Sequence, residues 1–141
     1  MKNESEKYKF YLSFAKDCGE LKEGIYKSEN NQFTISIDFN WEHSLSVRGE
    51  TGEVKVNKEF CARPECVKLF ALCWAIYALK DDTHTNNIAR DNYALNLMRR
   101  KKYKFDKGEL LVGIMKLYPL KQLSMSYTKE RIEKLENQIA K

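Results

Sequence analysis

The most regular pattern in the chain is a strict alternation of apolar and polar side chains over residues 33–48. The odd positions hold the apolar residues and one histidine: Phe33, Ile35, Ile37, Phe39, Trp41, His43, Leu45 and Val47. The even positions are polar or charged: Thr34, Ser36, Asp38, Asn40, Glu42, Ser44, Ser46 and Arg48. Because successive side chains of a strand point to opposite faces, this alternation predicts extended structure with one buried and one polar face.

The parity of these positions constrains how the strands connect. Cross-strand partners share a face, so unbroken odd parity predicts either one long bent strand or a hairpin with an odd loop, for which residues 40–42 are the natural choice. The next apolar residues, Val54 and Val56, are even, which requires an even loop, and residues 49–52 supply one. With a short strand at about 24–28, the pattern predicts an antiparallel meander of three or four strands.

Helical spacing of apolar residues dominates the rest of the chain. It predicts an N-terminal helix over about residues 5–18 and a helix that begins at Pro64. From residue 66 to residue 79 only Lys68 is charged, so this helix is expected to be the buried centre of the fold. Further helices are predicted over about 86–101, from a cap at Asp106 to near residue 118, and over about 128–140. The predicted class is therefore α+β, with a largely helical C-terminal half.

The chain has 141 residues, a length that suits one hydrophobic core. We therefore predict a single domain over 1–141, in which residues 1–60 form the N-terminal helix and the sheet and residues 61–141 form the helical half. A hydrophobic content of 43% is too high for a disordered chain, and the longest apolar stretch is too short to span a bilayer. The first residues are polar and charged, without the apolar segment of a secretory signal. Together these features predict a soluble protein of the bacterial cytoplasm.

Motifs for catalysis and cofactor binding are missing from the sequence. It contains no phosphate-binding glycine loop, no zinc-protease helix and no nucleophile elbow, so we predict a protein that is not an enzyme and needs no cofactor. Cys61 and Cys66 are separated by four residues, a spacing that metal ligands can have, but no second compact ligand pair accompanies them. They are interpreted as buried free thiols, and no metal is predicted. His43 is interpreted as a half-buried structural residue and His84 as solvated.

Positive charge is concentrated in one short segment. Residues 1–60 hold 9 basic and 11 acidic side chains, whereas residues 61–141 hold 16 basic and 9 acidic ones. Residues 99–107, called the basic element below, carry six basic side chains and one acidic one, a net charge equal to the +5 of the whole protein. Its basic residues are Arg99, Arg100, Lys101, Lys102, Lys104 and Lys107, and two aromatic residues, Tyr103 and Phe105, lie among them.

Two interpretations of the basic element remain open at this stage. Cations at the C-terminus of a helix are stabilising, by about 0.3–1 kcal/mol each, so the segment could simply end the predicted 86–101 helix. Alternatively, the six cations could contact nucleic-acid phosphates or an acidic partner, and Tyr103 could stack on bases. The aromatic residues could equally anchor the turn in the core. The two helices beside the segment also resemble a helix-turn-helix in outline, but neither stands out as a recognition helix.

The leading functional hypothesis is a non-catalytic binding protein. Asn, Ile, Lys and Tyr fill 45 of the 141 positions, a bias typical of AT-rich genomes. With the small size, this favours a phage or mobile-element accessory protein that docks on and inhibits or modulates a nucleic-acid-processing complex of host defence, as anti-CRISPR proteins do. Its partner would be a protein or ribonucleoprotein, with direct RNA or DNA phosphate contact through the basic element and no membrane involvement. The polar sheet face would be free for protein contact through residues that include Thr34, Ser36, Asp38 and Glu42.

Three alternatives accompany this hypothesis. The first is a stand-alone nucleic-acid-binding regulator that uses residues 99–107, and the second is a small enzyme whose site residues are scattered along the chain. The third does not replace these functions but concerns assembly of the chain. The predicted last helix has a narrow apolar seam of Ile132, Leu135 and Ile139, which could contribute to a homodimer.

Overall fold

The computed structural model describes residues 4–18, 25–27, 34–48, 52–80, 87–117 and 125–141. Within them the chain forms helices α1 (Glu4–Asp17), α2 (Lys58–Cys61), α3 (Glu65–Lys80), α4 (Asn87–Arg100), α5 (Lys107–Leu117) and α6 (Met125–Ala140), and strands β1 (Ile25–Lys27), β2 (Thr34–Ile37), β3 (Leu45–Arg48) and β4 (Glu53–Val56). The predicted α+β class is confirmed. The short helix α2 was not predicted. The interpretation of His84 as solvated concerns a residue outside the described ranges.

The four strands form one sheet in the order β1-β2-β4-β3. Strands β1 and β2 pair antiparallel, and so do β3 and β4, but β2 and β4 run parallel. The predicted antiparallel meander is therefore wrong in its central pairing. The reason is the connection over residues 38–44, which is longer than the three-residue loop that the parity suggested. It carries the chain from β2 across to the far side of β4, about two strand spacings or roughly 10 Å away.

The predicted division of the sheet into two faces is confirmed. The register pairs Ile35 with Val54 and Ile37 with Val56 across the parallel seam. Across the β3–β4 hairpin each odd-numbered residue of one strand pairs with an even-numbered residue of the other, for example Leu45 with Val56. The apolar residues therefore pass from odd positions in β3 to even positions in β4. This is the change of parity that the four-residue loop at 49–52 required. The alternation thus assigned the apolar face correctly even though the strand order differs from the prediction.

Helix α3 lies at the centre of the core, as its apolar sequence predicted. Its side chains are buried around nearly its whole circumference, Lys68 included. Helix α5 approaches α3 closely at Gly113, where an added Cβ atom would lie 2.2 Å from a methyl carbon of Val67. Since real Cβ atoms do not come so near another carbon, only glycine fits there without a shift of the Val67 side chain or of a helix.

Helix α6 is attached to α4 through a buried ion pair. The Arg131 guanidinium donates two hydrogen bonds to the Asp91 carboxylate, from Nε at 2.7 Å and from Nη2 at 2.6 Å. The two side chains are only 5% and 3% exposed. Burial raises the pKa of the Asp91 carboxyl, and the paired guanidinium opposes that rise. This contact fixes the side of α6 that faces the core.

The buried stripe of α6 consequently differs from the predicted seam at one position, where Arg131 replaces Ile132. Leu135 and Ile139 are each 3% exposed and belong to the core of the same chain, while Ile132 is only half-buried. The buried stripe is formed by Arg131, Leu135 and Ile139, four residues apart. Leu135 and Ile139 therefore pack within their own chain, and of the predicted seam only Ile132 is partly accessible, so the homodimer stays a prediction.

None of the helices within the described residues combines the length and the hydropathy needed to cross a membrane.

Candidate functional site

The basic element joins the end of α4 to the start of α5 through a tight turn. The Lys102 N–H donates to the Arg99 carbonyl at 2.9 Å, and the Tyr103 N–H donates to the Met98 carbonyl at 3.0 Å. These two bonds are those of a Schellman motif, which satisfies carbonyls at the end of a helix. The position that such a motif usually gives to glycine is occupied here by Lys102, whose φ is 58°. The turn therefore holds a lysine in the left-handed region, which disfavours side chains.

Two of the six cations, Arg99 and Lys107, bind the end of α6. Arg99 donates from Nη2 to the carbonyls of Gln138 and Ile139, the latter at 3.2 Å, and Lys107 donates from Nζ to the Ala140 carbonyl at 3.0 Å. These carbonyls lie in the last turn of α6, where a helix lacks its own donors and carries partial negative charge. Arg99 and Lys107 thus stabilise the C-terminus of α6, although they lie at the end of α4 and the start of α5.

The two aromatic residues of the basic element are anchors of the fold. The rings of Tyr103 and Phe105 stack with centroids 6.5 Å apart and pack, half-buried, against the core. The Tyr103 hydroxyl lies 3.2 Å from a Glu65 carboxylate oxygen and donates to it. Burial, followed by this carboxylate, raises the pKa of Tyr103. The ring of Tyr103 is therefore held against α3 and Phe105, as in the interpretation of the aromatic residues as anchors of the turn.

The one acidic residue of the element starts the next helix. Asp106 Oδ1 accepts the Glu109 N–H at 2.8 Å, so it is the N-cap of α5, as its spacing to Glu109 predicted. The reciprocal half of a capping box is replaced by another contact, since the Glu109 carboxylate accepts the Cys66 thiol at 3.4 Å. The negative charge inside the basic element is thereby engaged with a helix end.

The four remaining cations lie at the end of α4 and on the turn that follows it. Arg100, Lys102 and Lys104 are exposed, and Lys101 is half-buried. They lie within five residues on the turn whose backbone the Schellman bonds hold. We call these four residues the outer cations. The structure thus places Arg99 and Lys107 at the end of α6 and exposes Arg100, Lys102 and Lys104.

A second group of polar residues lies on the other face of the sheet. The Trp41 indole N–H donates to Ser46 Oγ at 2.9 Å, and the Lys55 ammonium lies 4.4 Å from the indole centroid. Asn57 links the crossover to α2. Its side-chain amide donates to the Trp41 carbonyl at 3.0 Å, and its Oδ1 accepts the Phe60 N–H at 3.0 Å as N-cap of α2. Trp41 therefore lies with the polar side chains, although its odd position predicted the buried face. Residues 38–44 are a crossover rather than a strand, so the alternation does not apply to them.

The polar residues proposed for protein contact are only partly accessible. Glu42 is exposed, Thr34 and Asp38 are half-buried, and Ser36 is buried on the interior strand β2. Ser36 cannot contribute to a contact surface as predicted. His43, predicted to be half-buried, has a side chain 41% exposed that lies edge-on to Trp41 and 3.4 Å from a Glu42 carboxylate oxygen.

The cysteines Cys61 and Cys66 have different partners. Cys66 donates to the Glu109 carboxylate at 3.4 Å, whereas the pKa of Cys61 is lowered by Cys18. Across the described ranges no group of three or more His, Cys, Asp or Glu residues is arranged to hold a metal ion.

The structure also contains a buried pair that the sequence interpretation missed, Asp91 with Arg131. Its signal was present, since each residue interrupts an apolar helical stripe with an opposite charge. Comparisons with protein-family models, curated proteins and solved structures found no significant match to this chain. The basic element is therefore the feature of the protein on which a functional proposal can be based.

Proposed function

We propose that this protein is a non-catalytic binding protein that docks through its outer cations on a nucleic-acid-processing complex. Arg100, Lys101, Lys102 and Lys104 would contact guide or target phosphates, or an acidic surface of the partner. The observation that carries the proposal is the division of the basic element. The fold uses Arg99 and Lys107 for the end of α6, while Lys102 and Lys104 are exposed on the turn between them.

The chemistry of contact is electrostatic. Tyr103 is bound to Glu65 and packed on the core, so it supplies no free ring on which a base could stack. Lysine and arginine side chains on a short turn can approach phosphates from one side and release their counterions. The interaction is expected to depend strongly on salt and only weakly on nucleotide sequence.

Size, composition and charge support the kind of partner that we propose. A small chain with an AT-rich residue bias and no motif for catalysis suits an accessory protein of a phage or mobile element. Such a protein would act in the bacterial cytoplasm by inhibiting or modulating a host-defence ribonucleoprotein. Apart from the basic element the charges of the chain sum to zero, which supports one localised contact rather than diffuse attraction.

A salt titration with a charge-matched control tests the proposal. The binding constant is measured against salt concentration by fluorescence anisotropy, for the partner complex captured from the host and for a single-stranded RNA alone. The test variant is Lys102→Gln with Lys104→Gln, and the control removes two exposed lysines elsewhere, Lys9→Gln with Lys58→Gln. Arg99 is left intact because its loss would disturb α6. The test variant should lower the slope of log K against log salt by about two, and the control should not change it.

The outcomes separate the two functional hypotheses. Binding to the complex without binding to free RNA or DNA at low salt supports the docking function. Tight binding of the isolated chain to free nucleic acid, with the same loss in the test variant, supports the stand-alone regulator. Equal slopes for the test variant and the control would remove the outer cations from both hypotheses.

A further inference from the structure

Helix α5 is apolar on two opposite sides. It packs against α3 and α6, and Leu110 and Ile114, four residues apart on one side, are buried. Val112 and Met115, three residues apart on the opposite side, are 51% and 37% exposed. A helix that is apolar all round is normally covered all round, as α3 is. The outer side of α5 is therefore an apolar surface that the described residues leave uncovered.

A glycine on this outer side is not required by the fold. Gly108 lies one turn before Val112, and an added Cβ atom would meet only Asp106 Oδ1, at the ordinary contact distance of 3.5 Å. Glycine within a helix costs about 0.5–1 kcal/mol relative to alanine, and no close helix contact explains it here, in contrast to Gly113. The missing side chain leaves a shallow depression beside Val112. We call Gly108, Val112 and Met115 the outer face of α5.

The charges around the outer face are positive. Lys104 is exposed before the start of α5 and Lys116 near its end. The two carboxylates of this region are engaged within the chain, because Asp106 caps the helix and Glu109 accepts a cysteine thiol. Residues 99–116 hold seven basic and two acidic side chains. The outer face therefore suits an apolar group that is flanked by negative charges.

The crossover over residues 38–44 carries such a group. Phe39 is 39% exposed, and within the described residues the other exposed large apolar side chains are the two on the outer face of α5. The crossover contains two acidic side chains, Asp38 and Glu42, and no lysine or arginine. The Glu42 side chain is 76% exposed. The exposed apolar residues thus form two patches, and these patches have opposite charge.

Hydrogen bonds hold the crossover in one conformation. The Trp41 N–H donates to the Asp38 carbonyl at 3.0 Å, and the Asn40 N–H donates to Asp38 Oδ1 at 3.1 Å. The Trp41 carbonyl accepts the Asn57 side-chain amide at 3.0 Å. Phe39 therefore lies on a turn that is already ordered, so little conformational entropy is lost when its ring is covered.

We propose that the protein self-associates head to tail, with the Phe39 ring of one copy packed over Gly108 and against Val112 of the next. The carboxylates of the crossover then face the lysines near the two ends of α5. This contact differs from the predicted α6 seam, since it joins two different surfaces. It does not depend on the proposed binding function, although it covers Lys104, one of the outer cations.

The contact is expected to be weak and to depend on salt. Three exposed apolar side chains suit a small interface, of the class below about 1,200 Å² that forms transient complexes. We expect a dissociation constant on the order of 0.1 mM, and weaker association at high salt because the flanking charges are exposed. Since each copy keeps one surface free, the contact allows rings or short open chains of subunits.

Sedimentation velocity of the purified protein, without nucleic acid, tests the association. Between about 10 μM and 1 mM the mean mass should rise above the 16.6 kDa of the monomer, and about 0.5 M salt should reverse the rise. A protein that stays monomeric at every concentration would overturn the proposal. Because the assay contains no other macromolecule, its failure would leave the proposed docking on a nucleic-acid-processing complex unaffected.

Two complementary variants test the head-to-tail arrangement. Val112→Gln with Met115→Gln removes the outer face of α5, and Phe39→Gln removes the ring of the crossover. Each variant alone should be monomeric. An equimolar mixture should form a heterodimer and nothing larger, because one intact surface of each kind remains. A mixture without heterodimer would overturn the arrangement, and so would either variant that associates as strongly as the unmodified protein, since a surface such as Ile132 would then be responsible.

Charge and shape are tested separately. Glu42→Lys should raise the dissociation constant at least about 10-fold, whereas Asp17→Lys on α1, an equal change of net charge at another exposed site, should not. Equal effects of these two variants would contradict a local contact. Gly108→Gln should fold and should abolish association by filling the depression; unchanged association would place the contact elsewhere. If circular dichroism shows that Phe39→Gln does not fold, Glu42→Lys replaces it in the mixture.

Discussion

Replacing Arg131 with methionine is expected to destabilise the protein by about 3–5 kcal/mol, because it leaves the Asp91 carboxylate buried without its partner. The structure favours a cost in the upper part of the range that is general for breaking an ion pair. Two hydrogen bonds of 2.6 and 2.7 Å join the side chains, and both are almost completely shielded from water. Solvent screening, which makes most surface pairs nearly neutral in energy, is absent here.

The double variant Asp91→Leu with Arg131→Met should recover most of this loss. Removing both charges abolishes the desolvation penalty and leaves apolar side chains between α4 and α6, an exchange that is often neutral or stabilising. The control is Lys134→Ala on the same helix. Its partner Glu130 lies 3.6 Å away and both side chains are more than half exposed, so the expected cost is below about 0.5 kcal/mol.

Urea unfolding followed by tryptophan fluorescence and circular dichroism measures these differences. With a slope of about 1–3 kcal/mol/M, Arg131→Met should lower the midpoint by more than about 1 M. A loss below about 1 kcal/mol, or a double variant as unstable as the single one, would refute the reasoning.

The pH dependence of Arg131→Met provides an independent test. Without the guanidinium, burial alone acts on Asp91 and raises its pKa in the folded state above the ordinary value of about 3.9. A raised folded-state pKa stabilises the protein below the unfolded pKa, and this contribution is lost as the pH rises through the folded value. The variant should therefore lose stability between pH 4 and pH 8 relative to the unmodified protein, as measured by the same unfolding midpoints.

Other substitutions test the turn, the close helix contact and the crossover, all by chemical unfolding. Lys102→Gly should stabilise by about 0.5–1 kcal/mol by relieving the positive φ, and Lys104→Gly should not; equal effects would contradict the strain argument. Gly113→Ala should cost about 1–3 kcal/mol by overpacking against α3, whereas Gly108→Ala, which meets ordinary contact only, should be neutral or stabilising. Asn57→Ala should cost about 1–2 kcal/mol through loss of the α2 cap and should change the fluorescence of the neighbouring crossover tryptophan; an unaltered spectrum would argue against that contact.

The sheet shows which structural features the sequence determines locally. Alternation and parity assigned the apolar face of β2, β3 and β4 correctly, because face is a property of successive residues. The strand order was wrong, because pairing between β2 and β4 depends on a crossover that carries no periodic signal. The polar position of Trp41 has the same origin. Trp41 contacts Ser46 of β3 and Lys55 of β4, and the alternation around residue 41 cannot specify contacts with these strands.

The basic element shows the corresponding limit for the candidate site. Counting charges located the segment, apolar spacing located its two neighbouring helices, and the Asp106 cap was identified from its spacing to Glu109. The division of its cations was not predictable, because Arg99 and Lys107 bind carbonyls more than thirty residues away on α6. Arg131 was missed for a related reason. A charged residue on a helix is assigned to the surface unless its partner, here Asp91 forty residues earlier, is known.

The strand order β1-β2-β4-β3 has a consequence for how the protein folds. Two hairpins, β1–β2 and β3–β4, contain only short-range contacts and can form independently. The parallel seam between β2 and β4 can close only after the second hairpin has turned back, since β4 is its last segment. Formation of this seam brings together residues about twenty positions apart and excludes direct β2–β3 pairing, a competing register that the same alternation would allow. Docking of the two hairpins is therefore expected to be the slow step in forming the sheet.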